Sequence, residues 1–187
     1  MLNREVFDYF SHYQKENPTQ KIYGLFDGVK YPMLWSDLEG GILGYDMLFK
    51  EEALREKLIE VAPYLVRLDF EGDMAIEESQ NIFACYGENG AIFMASQFDF
   101  EDVLSAMREL FYVYTTEGEE GYMRFYEPKI FRHYIIQKNA NIQYALFSHI
   151  TSYWCEVNKK VSQMYHYSTT VGGKYAKKSI VLQKEKI

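Results

Sequence analysis

The ten residues Tyr122-Met123-Arg124-Phe125-Tyr126-Glu127-Pro128-Lys129-Ile130-Phe131 constrain this chain more than any other stretch. They read as a short strand running into a helix. Side chains alternate along a strand, so Met123, Phe125 and Glu127 face one way, and Arg124 and Tyr126 the other. Pro128 suits the first helical position, where its fixed φ fits and its missing N–H has no partner to lose. Beyond it, Ile130, Phe131, Tyr134 and Ile135 form one apolar stripe of a helix. The arginine among aromatic residues is the unusual element and admits two readings. One is a partly buried guanidinium tied to a carboxylate; the other is a guanidinium that binds an anion or a partner.

Strand and helix patterns alternate through the rest of the chain. Asn3 suits the cap of a helix over 4–16 with Val6, Phe7, Phe10 and Tyr13 inward, stopped by Asn17-Pro18. Residues 22–26 are a compact apolar run ending at the turn Asp27-Gly28, which predicts a buried strand. A loop or short helix anchored by Trp35 and Leu38 follows, and the glycines of 40–44 then break the chain. Residues 51–61 predict a helix with Leu54, Leu58 and Val61 inward and a Glu51–Arg55 pair outside. Ala62-Pro63 leads into a strand over 64–68 with Arg67 at its centre. A helix over 75–86, a strand over 91–95, a helix over 100–110 capped by Asp99 or Ser96, and a strand over 111–114 come next. After the helix at 128–138 stand a short helix or turn at 141–147, an aromatic strand at 150–157 and a hairpin about Gly172-Gly173.

This succession predicts an α+β (or α/β) fold, a mixed β-sheet flanked by helices with a short C-terminal β-hairpin-like tail. A chain of 187 residues, 48% hydrophobic, supports one sizeable core. The expected division is a core domain over 1–155 and a basic tail over 156–187, packed on or near it.

Charge separates the same two parts. Residues 156–187 hold seven lysines against two acids, a net +5, whereas residues 1–155 hold 13 basic and 25 acidic side chains, a net −12. An acidic body argues against a nucleic-acid groove, which needs clustered Lys and Arg. The lysine-rich tail suits either an anionic partner or the chain's own acidic body. No apolar run is long enough for a membrane span, and the first residues carry no apolar signal core, so a soluble cytoplasmic protein with reduced Cys85 and Cys155 is expected.

Catalytic patterns are scarce. The sequence has no G-x-S-x-G, no P-loop and no H-E-x-x-H. Asp69, Glu71 and Asp73 alternate like the start of a calcium loop, but Met74 stands where the turn needs glycine and Gln80 where it needs glutamate. The histidines His12, His133, His149 and His166 are scattered. No metal or organic cofactor is therefore expected. An anion clamp made from Arg67 and Arg124 is the remaining enzymatic reading.

Three segments together resemble the adaptor/chaperone family that loads toxic effectors onto the spike of the bacterial type VI secretion system. They are residues 23–28 (Tyr-Gly-Leu-Phe-Asp-Gly), 62–68 (Ala-Pro-Tyr-Leu-Val-Arg-Leu) and 124–131 (Arg-Phe-Tyr-Glu-Pro-Lys-Ile-Phe). Gln143, Phe147 and Trp154 are similar to the family's closing pattern, and the resemblance runs over roughly residues 20–155. Glu127 stands where the family favours aspartate, and a lysine-rich hairpin replaces the second, helical lobe common in that family. The resemblance implies a non-enzymatic cytoplasmic protein that binds a secreted effector and, in some members, the spike protein. Its structural motif residues would be Asp27, Arg67, Arg124, Glu127 and Pro128. Arg67 and Arg124 are expected on neighbouring strands, paired with carboxylates such as Asp27 or Glu127, because an unpaired guanidinium among large apolar residues costs several kcal/mol. Tyr126, Phe131 and Trp154 are the candidate aromatic anchors for a partner. The same acidity also fits an immunity protein that neutralises a basic toxin.

Overall fold

Three runs of consecutive apolar residues make the middle of the sheet: β1 (Lys21–Asp27), β3 (Pro63–Leu68) and β4 (Ala91–Ser96). Such runs belong where both faces of a strand are covered. β1 accordingly lies between the other two, with Ile22 opposite Leu68 and Ala95, and Phe26 opposite Tyr64 and Ala91. The computed structural model describes residues 2–83, 89–135, 140–157, 160–169 and 175–181; Cys85, Gly172 and Gly173 lie outside them. β2 (Tyr45–Met47) pairs with β3, β7 (Ser152–Val157) with β4, and β8 (Lys160–Thr169) and β9 (Tyr175–Val181) follow as a hairpin. The order across the sheet is β2-β3-β1-β4-β7-β8-β9, antiparallel at every pairing, and the fold is α+β.

Helices cover both faces. On one side α1 (Leu2–Glu16) sets Phe10 against Phe93 and Trp154 at 4.9 and 5.2 Å between ring centroids. α2 (Leu34–Glu39) brings Trp35 over Tyr64, and α4 (Asp73–Ile82) packs beside α1. The opposite face carries α5 (Phe100–Phe111), α6 (Pro128–Ile135) and α7 (Ala140–Phe147), whose Phe100, Phe131 and Leu146 meet Tyr23, Tyr153 and the Tyr153 hydroxyl. α3 (Glu52–Lys57) sits by β2, and a separate two-stranded sheet joins β5 (Tyr112–Tyr114) to β6 (Glu120–Tyr122).

Several local expectations change. The strand expected over 122–126 ends at Tyr122. Met123 donates its amide to the Phe111 carbonyl at 2.8 Å, and the chain then turns, with the Glu127 amide on the Arg124 carbonyl at 3.1 Å. Alternation is lost there, and Phe125 and Tyr126 are both buried. Asn3 lies inside α1 rather than capping it. α3 stops at Lys57, and Val61 points to solvent, because residues 58–62 form turns that bring Pro63 into the sheet. Asp99 stands at the start of α5, but its side chain makes no cap and instead pairs with Lys21. The expected boundary at 155/156 falls inside β7, and β8 and β9 continue the same sheet.

Of the stripe expected in α6, Phe131 is fully buried and Ile130 partly so; the side chains of Tyr134 and Ile135 lie outside what is described. Among the described residues no helix is long and apolar enough to cross a membrane.

Candidate functional site

β1 ends by turning sharply at Asp27 and Gly28. The Gly28 amide donates to the Ala62 carbonyl at 3.1 Å, and Asp27 lies opposite Pro63. A Cβ on Gly28 would stand 2.5 Å from that carbonyl oxygen, so the two backbones meet this closely only because residue 28 has no side chain. Asp27 accepts from the Val29 amide at 3.1 Å, an interaction that holds the turn. Its other carboxylate oxygen receives Arg124 Nη2 at 3.1 Å, while Arg124 Nε reaches Glu127 at 2.7 Å. Burial works against the Arg124 charge, but Tyr126, Glu127 and Asp27 outweigh it and raise its pKa. The Glu127 carbonyl in turn accepts the Phe131 amide at 2.8 Å, opening α6 over Pro128. Residues 23–28, 62–68 and 124–131, separate in sequence, thus converge on one junction.

Arg67 does not join it. Arg67 lies opposite Tyr23, four residues along β1 from Asp27, which is about 13 Å at the usual rise of a strand. It is exposed, forms no ion pair among the described residues, and borders a cavity of about 320 Å³ with Leu43, Asp69 and Phe100. The burial and pairing expected of it are corrected on that account: its backbone is in the sheet, but its side chain leaves the layer at an open rim. Arg67 and Arg124 form no common clamp.

The aromatic anchors are corrected too. Trp154 and Phe131 are fully buried and Tyr126 nearly so. Trp154 is sandwiched by Phe10, Tyr13 and His166 and donates its indole N–H to the Tyr9 hydroxyl at 3.0 Å. Tyr126 lies beside Phe125 and Phe111 under the Arg124 guanidinium, and burial pushes its hydroxyl up to about 12. These rings fill the core and present no surface to a partner.

Two clusters escaped the sequence reading. Asp46 on β2 binds Arg55 at 2.7 Å and Arg108 at 3.0 Å, so Arg55 serves Asp46 rather than the expected Glu51. Glu51 accepts instead from the Tyr112 hydroxyl at 2.7 Å. The glycine-rich 40–44 segment, expected as a plain flexible turn, is clasped by Glu78 of α4. That carboxylate accepts the Ile42 amide at 2.7 Å and the Leu43 amide at 3.2 Å. A Cβ on Gly41 would stand 1.8 Å from the same carboxylate, so the glycine itself signalled a close approach. Among the described residues no three His, Cys, Asp or Glu side chains are grouped to hold a metal ion.

No curated protein and no solved structure matches the chain. A family model described as Domain of unknown function (DUF4123) matches residues 22–141, more than half of the sequence, and encloses all three segments of the junction. The chain therefore belongs to the DUF4123 family.

Proposed function

We propose that this protein is a non-enzymatic adaptor that binds a type VI secretion effector in the cytoplasm and helps load it onto the spike. The observation that carries the reading is the junction itself: the residues on which the resemblance rests meet at one place, Asp27 with Arg124 and Gly28 with Ala62. Separate coincidences of sequence have no reason to meet in space. Val29 and Val61, one residue out on either side of the Gly28–Ala62 contact, stand 56% and 45% exposed. Apolar side chains held on a rigid junction are suited to protein contact.

The test is co-purification with the effector encoded next to this protein, with and without Val29→Asp and Val61→Asp. Capture by the parent and loss in the double variant, at unchanged melting temperature, is the expected result. No capture at any salt concentration overturns the reading. The acidity of residues 1–155 favours a second reading, an immunity protein. Protection of cells from the neighbouring toxin by this chain alone would establish that one instead.

A further inference from the structure

At the β2 edge of the sheet, a cavity of about 370 Å³ is lined by the half-buried rings of Trp35 and Tyr45, which a ligand can reach, and by Tyr64, whose ring is itself fully buried. Trp35 and Tyr64 lie nearly parallel, 22° apart with centroids at 6.3 Å, and Tyr45 stands edge-on to both at 6.2 and 6.1 Å. Glu52 and Glu56, one helical turn apart on α3, line the cavity as well. Both are exposed, and neither forms an ion pair or hydrogen bond among the described residues. The one guanidinium in the lining, Arg55, is already engaged by Asp46 and by the Phe49 carbonyl at 2.9 Å. The cavity therefore combines aromatic faces, negative at their centres, with two carboxylates that have no cation.

We propose that this cavity receives an arginine side chain of a protein partner. A guanidinium is flat, weakly hydrated and forked, so it stacks on an indole or phenol face while its N–H groups reach a carboxylate. A lysine ammonium gives up its water less readily and cannot stack. Glu52 and Glu56 supply the charge, and the rings supply a surface that no neutral polar side chain exploits as well. That the arginine belongs to a protein rests on the adaptor reading; the chemistry of the cavity does not.

The chain has two tryptophans, Trp154 fully buried and Trp35 half-buried, so a ligand entering this cavity changes the emission of Trp35 over a background from Trp154, and Trp35→Phe should abolish the change. The intact protein is titrated with a blocked glycine peptide carrying one arginine, and with the same peptide carrying neutral citrulline. A saturable change with arginine, at least about tenfold weaker with citrulline, is expected. Glu52→Gln with Glu56→Gln should weaken the arginine peptide about tenfold without lowering the melting temperature, since both side chains are in solvent. No saturable change, equal responses to the two peptides, or an unaffected double variant overturns the proposal. The peptide assay uses no effector. Failed co-purification with intact arginine binding therefore removes the adaptor reading alone, and the reverse result removes the arginine site alone.

Discussion

Arg124 closes onto Asp27 at 3.1 Å across 97 residues of sequence, and the two ends of this bond differ sharply in exposure: 47% for the arginine side chain, 1% for the aspartate side chain. Losing either member therefore has unequal consequences. Without Asp27, the arginine keeps Glu127 and solvent. Without Arg124, a buried carboxylate keeps only the Val29 amide among the described residues.

Arg124→Ala should accordingly destabilise the protein by about 2–3 kcal/mol, below the usual figure for breaking a buried pair because the arginine side chain is about half exposed. Adding Asp27→Asn should recover part of the loss by removing the stranded charge. Urea midpoints of the two variants measure this, and an Arg124→Ala protein as stable as the parent would contradict it.

Gly28→Ala tests the backbone contact rather than the charge. Its Cβ would meet the Ala62 carbonyl oxygen at 2.5 Å, and backbone on both sides must shift. A loss of about 1–3 kcal/mol is expected, as for other overpacked sites. Gly40→Ala, where the nearest atom would be 3.6 Å away, is the matched control and should change stability far less.

The β1, β3 and β4 strands were legible because each holds a compact apolar run, interrupted in β3 only by the exposed Arg67, and such runs mark strands covered on both faces. β2 was not, since three residues with Asp46 in the middle carry no periodicity. The aromatic run after Tyr122 misled for a different reason. Phe125 and Tyr126 are both buried from a turn, and an apolar dipeptide in a turn looks like strand until the pairing is known. Arg67 and Arg124 both sit among aromatic and aliphatic residues; Arg124 has Glu127 three residues on as a local partner, whereas its second partner, Asp27, is distant in sequence and not legible from it. Glu78 over Gly41 is likewise a long-range contact, with glycine as its single local trace.

Trp154→Ala should cost about 3–5 kcal/mol, the range for deleting a large buried ring. Effector capture would then fall only as the folded fraction falls. A variant that keeps the parental melting temperature while losing capture would return Trp154 to the surface.

Stability should also fall on mild acidification. His166 stacks on Trp154 at 4.6 Å, with its centroid plane tilted by 4°, and lies opposite Lys178 on β9. Burial, and then Lys178, depress its pKa to about 4. The folded state thus disfavours the imidazolium. The contribution is complete above the ordinary value near 6.5 and is lost as the pH falls from there towards about 4. His166→Gln should flatten the difference in melting temperature between pH 7 and pH 5, and an unchanged slope would assign the acid sensitivity to other groups.

The stretch by which relatives are recognised stops at residue 141, inside α7, but β7 has yet to pair with β4 and carry Trp154 under α1. On a ribosome, the nascent chain would present all of residues 22–141 while β4, buried along all six residues in the finished protein, still had the side that meets β7 open to pairing with other chains. Heredity and folding therefore parcel this molecule differently. The strand whose arrival lets the core close lies outside the matched stretch.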